Sequence, residues 1–174
     1  MRSVAFVALG SVLLVLQAAL GVLAPLGPWA PNPVLPIVMF LGVANDVPLV
    51  RGALASFALG YLLDSFSGSA MGLATFVMVA CFLIARGAGL NLFMRGPALQ
   101  GLTTFVFGLA SGGAMLALRA IFEAPAPFPL DTVGHTALTL VAGAAITGLA
   151  GPPIFLLVRR IDGLVTRRRE ETPA

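Results

Sequence analysis

The side chains able to do chemistry are few and scattered. Two carboxylates, Asp64 and Asp131, the single histidine His135, and the hydroxyls of Ser65, Ser67, Ser69 and Ser111 stand out from an oily chain. A serine nucleophile needs a base held against it, and none of these serines lies in the Gly-x-Ser-x-Gly turn that presents one. His135 stands beside Asp131 and Thr132 but lacks the further ligands that a metal requires. Paired carboxylates do acid–base work when they share a site, and neither Asp64 nor Asp131 sits mid-span with recognisable flanks. The residues therefore point away from an enzyme, and no catalytic, cofactor-binding or metal-binding residue is assigned. Transport is the sharper rival, because intramembrane carboxylates and broken helices are how carriers hold their cargo. Against it, Asp46 and Asp64 both fall at the ends of elements. There is also no phosphate-binding Gly-Lys-Ser loop and no clear internal repeat.

The elements that must position these residues follow from composition. With 59% hydrophobic and 10% charged residues and a mean hydropathy of +1.02, the chain is no ordinary soluble globule. Inside a bilayer every backbone amide must find a partner within the protein, and long uncharged runs without strand alternation therefore predict helices. The expected class is an all-α integral membrane protein of 174 residues. Residues 1–165 read as one transmembrane domain and 166–174 as a polar, Arg-rich tail. All ten basic residues are arginine, lying in short gaps and near the C-terminus, so the charge reads as an orientation signal rather than a nucleic-acid footprint. The lone cysteine, Cys81, sits in an apolar run and reads as a buried thiol.

Residues 4–23 carry no charge and are long enough, at ~1.5 Å per residue, to cross ~30 Å of hydrocarbon. They read as a retained first span rather than a cleaved signal. Prolines 25, 28, 31 and 33 make the next stretch a loop, with Trp29 as a headgroup anchor. Residues 34–43 and 52–63 form a helical hairpin of two short pieces. The second is tilted, thinned or re-entrant unless its helix extends back through Arg51, whose side chain can snorkel. Residues 70–85 are a further span, capped by Ser67 or Ser69 and ended by Arg86. Residues 98–118 span again up to Arg119, residues 121–133 form a proline-rich connector, and residues 136–158 span with a kink at Gly151-Pro152-Pro153. The C-terminal arginines place that end in the cytoplasm, and Arg2 places the N-terminus there too. Six crossings then leave nine of ten arginines inside, with Arg119 outside. The arginine tail attracts anionic membrane lipids.

Small-xxx-small pairs supply close helix contacts: Ser56/Gly60, Gly68/Gly72, Gly108/Gly112 and Ala144/Gly148. The stretch from Gly60 to Gly72 reads as a corner, with Asp64 at the outer end of the third helix, where ionisation is cheap. Asp64 and Arg119 share that side and form a candidate ion pair.

Four places together resemble the rod shape-determining protein MreD family of bacterial cell-wall elongation complexes. They are Pro31-Asn32-Pro33, the run Gly60-Tyr61-Leu62-Leu63-Asp64, Ser67-Gly68 with Gly72-Leu73, and the closing Pro153-Ile154-Phe155-Leu156-Leu157-Val158-Arg159-Arg160-Ile161-Asp162. The resemblance singles out Asn32, Pro33, Gly60, Asp64, Gly68, Gly72, Pro153, Arg159, Arg160 and Asp162 as family-motif positions. It implies a non-enzymatic inner-membrane scaffold or regulator that binds MreC. Through MreC it would connect the MreB filament to the RodA glycosyltransferase and its penicillin-binding transpeptidase. It further implies a bundle of about six transmembrane helices similar to the substrate-binding subunits of energy-coupling-factor vitamin transporters. The alternative is a small-molecule, vitamin-type carrier or its binding subunit.

Overall fold

The computed structural model describes residues 2–23, 32–44, 47–67, 71–89, 96–122 and 133–170, and all the regular structure among them is helical. The helices are α1 (Arg2–Leu23), α2 (Val34–Val43), α3 (Leu49–Ser67), α4 (Leu73–Gly87), α5 (Pro97–Phe122) and α6 (Val133–Glu170). Three stretches, Leu49–Phe66, Pro97–Phe122 and Gly134–Gly163, are long and apolar enough to cross a membrane. Phe6–Ala19, Val34–Val43 and Leu73–Gly87 are shorter apolar helices. The expectations for Trp29, Asp46, Gly68, Ser69, Arg95, Asp131 and the proline-rich connector across 123–132 lie outside the described residues.

α2 is the centre. At 10 residues it is only ~15 Å long, yet Val34, Leu35, Ile37, Val38, Met39 and Leu41 all have no exposed surface. A helix that is apolar all round is satisfied only by burial on every side, and α2 touches each of the other five helices. Phe6 of α1 meets Phe40 edge-on, with centroids 5.8 Å apart, and Phe40 also meets Phe155 of α6 at 6.3 Å. Around this axis large apolar side chains point outward as well as inward. Phe57, Phe76, Val106 and Leu149 are all more than half exposed.

Contacts along the helices fix their directions. Phe6 beside Phe40 and Gly10 beside Ile37 make α1 and α2 antiparallel. Gly52 against Phe82 and Gly60 against Thr75 do the same for α3 and α4. Gly101 against Gly148, Gly108 against Ala144 and Gly112 against Leu140 do so for α5 and α6. α2 runs parallel to α6, because Asn32 meets Thr147 while Phe40 meets Phe155. Leu35 shares a cavity wall with Val77 while Gly42 meets Ala85, so α2 also runs parallel to α4. Successive helices therefore alternate in direction. The short second arm of the expected hairpin is resolved by length: the helix does extend back through Arg51, which is exposed, and reaches 19 residues or ~28 Å.

Two of the buried hydroxyls are satisfied within their own helices. Ser56 donates to the Gly52 carbonyl at 2.9 Å and Thr104 to the Gln100 carbonyl at 2.7 Å. α6 runs as one helix through Pro152 and Pro153 and on to Glu170, taking in most of the stretch assigned from sequence to a polar tail. Each proline removes an amide hydrogen, leaving the carbonyls of Gly148 and Leu149 without their usual donors. α5 closes on this point. A β-carbon added to Gly101 would lie 3.2 Å from the Gly148 oxygen and 3.7 Å from the Pro152 ring. The absence of a side chain at Gly101 lets the two backbones approach closely at the freed oxygen.

Candidate functional site

The join between α3 and α4 is built around one carboxylate. The first amides of a helix have no intrahelical partner, and the N-cap residue of α4, Gly72, offers no side chain to meet them. Asp64 supplies the missing acceptor from the neighbouring helix. Its Oδ1 accepts from the Ala74 N–H at 2.8 Å, and its Oδ2 accepts from Gly72 N–H at 3.0 Å, Thr75 N–H at 2.9 Å and Thr75 Oγ1 at 2.7 Å. The negative group also faces the positive end of the α4 dipole. The N-cap position of α4 is thus Gly72 rather than Ser67 or Ser69, whose side chains lie outside the described residues.

Asp64 lies near the end of α3, as expected, but it is inside the protein rather than open to water. The residue is only 1% exposed, and protein donors stand where water would otherwise be. Two glycines make the geometry attainable. A β-carbon on Gly60, one turn before Asp64, would lie 2.5 Å from the Thr75 Cα, so α3 reaches α4 backbone to backbone only because Gly60 has none. Gly72 acts differently from the close-approach role expected of it. Nothing lies within 4 Å of an added β-carbon, but its φ of 102° is a conformation that L side chains rarely adopt.

Asn32 and Pro33 form the matching joint at the start of α2. Pro33 is buried in the N-cap position, and the Asn32 Oδ1 accepts from the Val34 N–H at 3.2 Å. The Asn32 N–H donates to Thr147 Oγ1 at 3.1 Å, and that hydroxyl donates to the Gly143 carbonyl at 2.7 Å. α2 is thereby pinned to the middle of α6. Between this joint and the Asp64 corner lies a partly open cavity of about 190 Å³, lined by residues of α2, α3, α4, α5 and α6. Ala74, whose amide Asp64 holds, forms part of its wall.

The remaining motif positions lie elsewhere. Pro153, Arg159 and Arg160 are exposed on α6 and Asp162 is half-buried there, toward the opposite end from Asn32. At that end Arg86 Nη1 donates to the Ala44 carbonyl at 2.7 Å, tying the ends of α4 and α2 together. Arg119 is half-buried in the last turn of α5, at the same end of the bundle as Asp64. Of the candidate serines, Ser65 donates to the Tyr61 carbonyl at 2.9 Å and Ser111 to the Gly108 carbonyl at 3.1 Å. His135 is exposed at the start of α6, and Cys81 is 5% exposed within α4. Among the described residues no three His, Cys, Asp or Glu side chains gather as metal ligands would.

Motif positions from three parts of the chain thus converge on one end of the bundle: Asn32 from the first, Gly60 and Asp64 from the second, Gly72 from the third. Chemically the arrangement holds helices together. Sequence reasoning missed Thr75 and Thr147, the hydroxyl partners of the two joints. Thr75 carries a faint signal, standing three residues into α4 where a side chain can answer a cap; Thr147 looks like any other threonine in an apolar run. Comparison with protein-family models, curated proteins and solved structures finds no match.

Proposed function

We propose that this chain is an MreD-like scaffold or regulator in the bacterial inner membrane that binds MreC and supports peptidoglycan synthesis and cell shape. Through MreC it meets RodA, the elongation transpeptidase and MreB. The observation that carries this reading is the use made of the motif residues. Asn32, Gly60, Asp64 and Gly72 spend their polar groups and their missing side chains on joining helices, with the Asp64 carboxylate engaged by four donors. Residues so engaged suit a protein that acts by presenting a shaped surface. The alternating directions of the helices support six traversals with both termini cytoplasmic, the arrangement that also leaves nine arginines inside. α2 and α4, shorter than a full span, cross as part of the bundle rather than as independent hydrophobic rods.

The test is co-purification from the native host. Tagged protein is expected to bring down MreC, and depletion is expected to round the cells. Recovery of no elongation-complex member together with unchanged cell shape would overturn the reading.

A further inference from the structure

We infer that the cavity between the Asn32 joint and the Asp64 corner is a binding site for an uncharged amphiphile bearing a hydroxyl group. Its volume of about 190 Å³ exceeds the ~150 Å³ of an engineered apolar cavity that takes up benzene. It therefore has room for a short alkyl segment and one oxygen. Leu35, Leu63, Val77, Met78, Met115 and Leu140 supply the apolar wall, and none of the lining residues is charged. Neutrality of the wall argues against an ion, which would enter a low-dielectric site without a counter-charge. The nearby Asp64 is already committed to the start of α4.

The polar groups select what remains. The hydroxyl hydrogens of Ser111, Thr139 and Thr147 go to the carbonyls of Gly108, Thr136 and Gly143, so these side chains keep only acceptor capacity toward the cavity. Thr147 Oγ1 further accepts from the Asn32 N–H. Asn32 uses its Oδ1 on the Val34 N–H, which settles the orientation of the carboxamide and leaves Nδ2 as a donor with no acceptor among the described residues. The wall thus offers one amide donor beside hydroxyl acceptors. A ligand hydroxyl answers both, accepting from Asn32 Nδ2 and donating to Ser111 or Thr139, while its alkyl part covers the leucines and methionines. A plain hydrocarbon would leave these groups unpaired, and a carboxylate would bring an uncompensated charge.

The experiment uses the full chain in phosphatidylcholine nanodiscs and a diazirine-bearing octanol as photolabel. Label is expected on peptides carrying Met78, Met115 or Thr139. Unlabelled 1-octanol is expected to compete about tenfold better than octane at equal membrane concentration, the worth of a hydrogen bond made away from water. Octanoate should compete more weakly than octanol. Asn32→Asp keeps an acceptor for the Val34 N–H but loses the amide donor, and should abolish the advantage of octanol over octane. Ser111→Phe fills the cavity and should remove the label. If that variant does not fold, the octanol-to-octane ratio on the unmodified chain decides alone. Label spread over outward residues such as Phe76 and Val106, or octane competing as well as octanol, would overturn the proposal. Native mass spectrometry separates the two sources of such a ligand. A retained neutral glyceride assigns it to the bilayer, and bare protein that rebinds octanol assigns it to solution.

Discussion

Replacing Asp64 by asparagine keeps size and shape but should be costly. The carboxylate accepts from at least four donors, the Ala74 N–H on Oδ1 and the Gly72 N–H, Thr75 N–H and Thr75 Oγ1 on Oδ2. An asparagine that turns its oxygen toward Gly72 and Thr75 must point its amide at the Ala74 N–H, so one bond is lost and two donors face each other. The opposite rotamer loses three. Hydrogen bonds to a charged group are worth about 1.5–3 kcal/mol each, so Asp64→Asn should destabilise by about 2–4 kcal/mol. Asp64→Ala, which orphans three backbone amides at the start of α4, should cost about 3–5 kcal/mol. Thr75→Val removes one donor and should cost about 1.5–3 kcal/mol, whereas Thr75→Ser, which keeps it, should stay within about 1 kcal/mol. Because Asp64 and Thr75 share a bond, the double variant Asp64→Asn with Thr75→Val should lose less than the sum of the singles.

Cys81 is a built-in reporter for this series, being the only cysteine, 5% exposed, and placed on the helix that Asp64 caps. Its reaction with a thiol-activated fluorophore in detergent, followed against temperature and denaturant, measures both the opening of α4 and global unfolding. Stability of Asp64→Asn within about 0.5 kcal/mol of the parent would refute the reasoning, since no rearrangement of an asparagine satisfies the four donors.

Further tests fall on the close helix contacts. Gly60→Ala should separate α3 from α4 and cost about 2 kcal/mol or more, because the methyl meets the Thr75 backbone at 2.5 Å rather than a yielding side chain. Gly113→Ala, with open space around the new methyl, should be neutral or stabilise by up to about 1 kcal/mol in the same unfolding assay. Gly72→Ala should cost about 1 kcal/mol despite the empty space around it, through its φ of 102° alone. If Asp64 and Arg119 form an ion pair, reversing both charges should restore the stability that either single reversal destroys, and failure of that rescue removes the pair from the account.

The sequence by itself determined the all-α class and most of the helical segments. Hydropathy and the cost of unpaired amides in lipid are local properties that any window of the chain displays. Asp64 also stood out as a carboxylate in an apolar stretch, while Asn32, Gly60 and Gly72 were singled out by the family resemblance. What they do was decided by tertiary structure. Asp64 is bound to residues 8 to 11 positions away, and Asn32 to Thr147, 115 positions away. No periodicity encodes such a partner, because the pairing arises only when separate helices pack. The same holds for α2, whose composition resembles that of any short apolar run and whose central place follows from the other five helices closing around it. The cavity follows too: its wall is drawn from five helices, and the hydroxyls along it are matched to carbonyls of their own helices only once those helices are in place.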